Sequence, residues 1–120
     1  MFGSGLNIVL GVWLASSPLT SSPTNAWAYG KMNAMLHIVM ALADQAHCPS
    51  LEVNTKLLAE TQVFYHINIL QNPLDVAFIT KIGARSNERV AAMTQEAACA
   101  EGRLWFGPDG TRIKGLLIER

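Results

Sequence analysis

Charge is spread so unevenly along this 120-residue chain that the folding problem splits in two. Residues 1–43 hold a single charged side chain, Lys31, and every other charge lies at or beyond Asp44. Such a segment has to be kept from water by lipid or by protein. Nine basic side chains balance nine acidic ones, and 50% of residues are apolar. That composition excludes a disordered tail, and zero net charge excludes a polyanion binder driven by long-range electrostatics.

Two apolar runs fill the first third: residues 2–19 and residues 26–43, joined by a Ser/Thr/Pro/Asn-rich connector at 20–25. At ~1.5 Å per residue each run reaches about 27 Å, short but sufficient for a membrane of ~30 Å hydrocarbon thickness. The pattern predicts a transmembrane helical hairpin over residues 1–46. Pro18 ends the first helix where water can satisfy the freed carbonyls, Trp27 and Tyr29 fit an interfacial aromatic belt, and Lys31 snorkels to the head groups. Loop charge places both termini in the cytoplasm of a bacterial inner or plasma membrane. Two other readings remain open. Ala26-Trp27-Ala28 has the small-x-small form of a signal-peptide cleavage site, and both runs are also at the border length for core helices of a soluble domain.

The run from Asn7 through Gly11 and Trp13 to Ser17-Pro18, followed by a second apolar segment that opens with Asn33 and ends Ala41-Leu42-Ala43, resembles the SPW repeat family of small bacterial membrane proteins. The resemblance covers about residues 6–43, with Leu19 where the family motif has tryptophan. It implies a two-helix membrane unit and carries no activity with it.

Residues 47–120 read as a soluble module of three helices and a C-terminal β-hairpin, so the fold class expected for the whole chain is mainly α. Pro49-Ser50 suggests a helix over about 51–71 capped by Ser50. Asn72-Pro73-Leu74-Asp75 starts a shorter helix that Gly83 closes, and Ser86 caps a third ending at Gly102. Gly107-Pro108-Asp109-Gly110 supplies the turn of a hairpin over 103–118. This order of elements also fits a winged-helix DNA-binding regulator. Against it, Ile79 and Arg89 occupy positions where a small residue and a buried aliphatic are needed, and Glu88 and Glu96 oppose a phosphate-facing surface.

Chemistry is sparse. No glycine-rich phosphate loop, zincin helix, nucleophile elbow or paired Cys-x-x-Cys is present. Cys48 and Cys99 read as ordinary thiols, a bridge between them requiring an oxidising compartment. His47-Cys48 lacks an orienting carboxylate, and His66 reads as structural. His37 is the one candidate site residue: mid-span in a membrane, its imidazole would hydrogen-bond a neighbouring helix or ligate a haem iron or chlorophyll magnesium. Small residues at Gly5, Gly11, Ala15, Ala34 and Ala41 allow close helix approach. The resulting expectation is a non-catalytic accessory or assembly subunit of a membrane complex, or a membrane homo-oligomer. It needs no cofactor, nucleic acid or small-molecule substrate; a haem- or pigment-binding subunit stands as the alternative.

Overall fold

A computed structural model describes residues 23–120. The chain divides into two compact units, Met1–Gly30 and Lys31–Arg120. The first apolar run and the stretch from Asn7 to Pro18 that carries the family resemblance lie outside the described residues.

Four helices and two short strands follow in the order α1 (Pro23–Ala46), β1 (Leu51–Val53), α2 (Thr55–Phe64), α3 (Pro73–Ala91), α4 (Gln95–Phe106) and β2 (Leu117–Glu119). Proline at the first position of α1 leaves no amide unsatisfied there, and Ala, Met and Leu carry the helix onward without a breaker. Its buried face is formed by Ala34, Met35, Ile38, Val39, Ala41 and Ala43. Most of these residues join Leu51, Ile67, Ile82, Phe106, Leu116 and Leu117 in one core, while Ala43 packs with Val90 and Ala98.

From Ala34 to Ala43 the second apolar run, expected to span a membrane, contributes a buried face to the core of the Lys31–Arg120 unit. Its low charge reflects burial by protein, and among the described residues no helix is long and apolar enough to cross a membrane.

The remaining boundaries follow local hydrogen bonding. Residues 51–53 do not open a helix, because they pair antiparallel with β2, Leu51 opposite Glu119 and Val53 opposite Leu117. Asn54, not Ser50, caps α2: its side chain accepts from the Leu57 amide at 3.1 Å and donates to the Gly115 carbonyl at 3.2 Å. Helix α2 stops at Phe64, short of the expected residue 71. His66 takes a left-handed φ of 55°, and the Asn68 side chain accepts the amides of Leu70 and Gln71 in a tight turn.

Asn72 and Pro73 start α3 as expected, with the Asn72 side chain accepting from Leu74 and Asp75. Gly83 and Ser86, expected to end one helix and cap the next, lie inside α3. Gly83 keeps helical geometry beside Val39, and Ser86 is buried on the inward face. Thr94 is the actual cap of α4.

The C-terminal hairpin does not form. Residues 103–106 finish α4, and Gly110 lies so close to the Trp105 carbonyl that a Cβ there would meet it at 2.5 Å. The chain then folds back, with Arg112 and Ile113 amides bonding to Trp105, before β2 pairs with the distant β1. The wing required by the winged-helix reading is consequently missing among the described residues.

Candidate functional site

His37 lies on α1, half-buried. Its Nε2 is 3.2 Å from Nη1 of Arg112. Arginine only donates, so Nε2 is the acceptor and the proton of the neutral ring sits on Nδ1. Burial first, and the Arg112 charge second, hold this imidazole below its usual range. The lone pair that a metal would require at Nε2 is thus occupied by a guanidinium. Arg112 also stacks over Trp105 at 4.1 Å from the ring centroid, and Arg89 approaches the same ring at 5.7 Å.

From this aromatic platform a polar chain runs inward. Arg89 on α3 grips Glu101 on α4 with two hydrogen bonds, at 2.8 and 2.6 Å, in the parallel geometry that suits a guanidinium and a carboxylate. The Arg89 bond is the largest influence holding the Glu101 carboxyl below the usual range. Behind Glu101 lies Asp44 of α1, 0% exposed. Neither Asp44 oxygen meets a hydrogen-bond donor among the described residues. Two carboxylates repel, but a carboxylic acid and a carboxylate can bond, so the contact with Glu101 requires a proton on Asp44. Burial, with the Glu101 hydrogen bond second, raises the Asp44 carboxyl to about 7.

Cys48 and Cys99 are joined in a disulfide with Cα atoms 5.2 Å apart, which corrects the expectation of two ordinary thiols. The long sequence separation concealed what the fold brings together: the turn after α1 runs against α4. Cys48 is fully buried and Cys99 partly exposed. Ser50 Oγ lies 3.3 Å from Cys48 Sγ and receives a hydrogen bond from Arg103 at 3.0 Å.

The remaining feature is a blunt apolar tip where α2 turns into α3. Val63, Phe64, Leu70 and Leu74 are 76%, 70%, 89% and 80% exposed, respectively. Val63 and Leu70 line an open groove of about 560 Å³ together with Gln62, His66, Ile67, Asn68 and Ile69. No Asp, Glu, Lys or Arg occurs between Thr61 and Leu74. The expected helix over about 51–71 runs through this tip, so the sequence reading did not single it out. The Asn68 and Asn72 turn signals were the clue that the helix ends earlier. Asp44 also carried a signal, since it continues the three-residue steps from Ile38 and Ala41 along the buried face of α1.

Among the described residues no group of three or more His, Cys, Asp or Glu side chains is arranged to hold a metal ion. No protein-family model, curated protein or solved structure matches this chain.

Proposed function

We propose that the Lys31–Arg120 unit is a non-catalytic docking module, an accessory or assembly piece that works in an oxidising compartment. The observation that carries this reading is the α2–α3 tip. Four large apolar side chains of this tip are each at least 70% exposed, two of them, Val63 and Leu70, line one groove, and no charged residue occurs between Thr61 and Leu74. Contiguous apolar surface of this kind is uncommon on a freely diffusing monomer and is typical of contact surfaces. An uncharged tip is also self-compatible, because two copies meet across it without like-charge repulsion. The occupant proposed is accordingly a second copy or the apolar face of a partner subunit.

The compartment follows from chemistry. Disulfides persist where thiols are not continuously reduced, and Ala26-Trp27-Ala28 offers a cleavage point just ahead of the compact unit that begins at Lys31. Export with removal of residues 1–28 unites these two observations. It replaces the cytoplasmic placement of the termini in this proposal.

The test is a single preparation from the native host, read by intact mass and by native mass. A chain lacking residues 1–28 and two protons lighter than its reduced form supports export. A multimer or defined complex that falls apart on Phe64→Ser with Leu70→Ser supports docking. A wild-type monomer at working concentration that neither assembles nor binds lipid vesicles would refute the docking reading. Vesicle binding lost in the same variant would reassign the tip to a lipid surface.

A further inference from the structure

We infer that Asp44 and Glu101 form a proton-binding site buried between α1 and α4, and that release of its proton loosens the seam between these helices. The geometry begins with Asp44. Its carboxyl group is fully enclosed, and neither oxygen is met by a donor among the described residues. A buried polar group in that position is costly unless it carries its own proton and finds an acceptor. Glu101, the residue before Gly102, is the acceptor the inference assigns, and the two-bond grip of Arg89 holds it as a carboxylate. The proton therefore stays on Asp44 and the charge on Glu101.

Among the described residues the cation whose charge acts on Asp44 is Arg89. From α3 the charged group is Arg89, already committed to Glu101, and from α4 it is Glu101 itself. Arg112, in the segment after α4, acts on Glu101. On α1, His47 directs its Nδ1 proton to the Ala43 carbonyl one turn back. The strand pair reaches the same place through Leu51 and Leu117, which do not titrate. Their side chains and the Asp44 Cβ converge on Gly102, where an added Cβ would meet Leu51 at 2.9 Å and Asp44 at 3.5 Å. Gly102 follows Glu101, so a second negative charge appearing at Asp44 arises where α4 packs closely against the strand pair and meets α1.

A midpoint near 7 instead of the ordinary aspartate value means proton affinity about a thousandfold higher than in the unfolded chain. Below neutrality the site is occupied and the seam closed. Above it the chain must either bury two adjacent carboxylates or move them apart. The Cys48–Cys99 bridge ties the same two regions, so the response is a local loosening and not separation of α4. The inference is independent of the docking tip, which lies on other residues and contains no part of this pair.

The experiment uses the oxidised full chain. Side-chain carboxyl carbon signals are followed by NMR from pH 3 to 9, and amide hydrogen exchange in α4, corrected for intrinsic rate, is compared at pH 5.5 and 8. The expected result is an Asp44 signal that titrates near neutrality and α4 exchange that rises at least tenfold at the higher pH. Asp44→Asn keeps a hydrogen-bond donor towards Glu101 without titrating, so its α4 exchange should be the same at both pH values. An Asp44 signal titrating near 4 would overturn the inference whether or not the variant folds. Equal pH response of exchange in wild type and Asp44→Asn would overturn the loosening.

Discussion

Asp75 and Asp44 are hidden almost equally, at 3% and 0% exposure, yet the chain treats them in opposite ways. Asp75 stands in the first turn of α3, where the helix dipole favours an anion. It meets Lys31 at 3.0 Å and accepts the Asn68 amide at 2.9 Å. Asp44 stands in the last turn of α1, at the unfavourable end of that dipole, beside an acid and with no cation to itself. One carboxyl is thus buried as an ion with its partners supplied, and the other as an acid. Position relative to a helix end, more than depth of burial, separates the two outcomes.

The largest difference to break is covalent. The Asp44 seam is stapled by Cys48–Cys99, whereas no covalent link near Asp75 joins α3 to α1. Closing a loop across a separation of 51 residues stabilises by about 4 kcal/mol in the chain-entropy account. Cys48→Ser with Cys99→Ser should lower urea-unfolding stability by about that amount. A loss below about 1 kcal/mol would show that core packing alone determines the α1–α4 arrangement.

Removing the Asp75 cation comes next. Lys31→Met leaves an uncompensated carboxylate at the start of α3 and should cost about 3 kcal/mol at pH 7, the range expected when one partner of a buried pair is deleted. A variant as stable as wild type at neutral pH would mean that Asp75 is supported by the helix end and the Asn68 amide alone.

The same substitution at the two positions sharpens the contrast. Asp75→Asn removes a charge that Lys31 needs and should destabilise by about 2 kcal/mol. Asp44→Asn should gain on wild type as pH rises, by about 2–3 kcal/mol between pH 5 and pH 8. The sign follows from the raised midpoint. Between about 4 and about 7 the folded chain holds a proton that the unfolded chain has released. The stability tied to this proton is complete below pH 4, declines as pH rises and is gone above the folded midpoint. Glu101 acts in a different window: its lowered midpoint gives stability that is lost only as pH falls below the usual glutamate range. Thermal unfolding of wild type and both variants at pH 5 and 8 separates these effects.

How much of this was legible in the sequence depended on whether the deciding contact was local. The α3 start was legible because Asn72, Pro73 and Asp75 carry their own capping chemistry within four residues. The mainly helical composition of the unit was legible for the same reason. The β1–β2 pair was not, since three residues at each end of the module pair across a separation that no short pattern reveals. The apolar stretch of α1 failed as a membrane indicator because a central helix of a small core and a short membrane span have the same hydropathy; what distinguishes them is whether α2, α3 and β2 return to cover it. His37 attracted attention under the membrane reading, where an imidazole is expensive. In the folded unit Arg112 and Trp105 beside it make that ring unexceptional, and the costly polar group is Asp44.

The smallest effect tests whether the two carboxyls of the seam share one proton. Arg89→Lys keeps a positive charge near Glu101 but replaces a planar two-bond grip by a single point contact. Arg89 is largely open to water on its outer side, with its side chain 42% exposed, so the stability cost should be modest, about 0.5 kcal/mol. The informative change is in titration. With Glu101 less firmly held as an anion, it competes better for the proton, and the pair's remaining proton is retained to higher pH. The midpoint of the wild-type transition should therefore move upward by a few tenths of a pH unit, while the Asp75 region, which shares no group with Arg89, keeps its behaviour. An unchanged midpoint would mean that Asp44 is protonated by burial alone, and that Glu101 is its neighbour without being its partner.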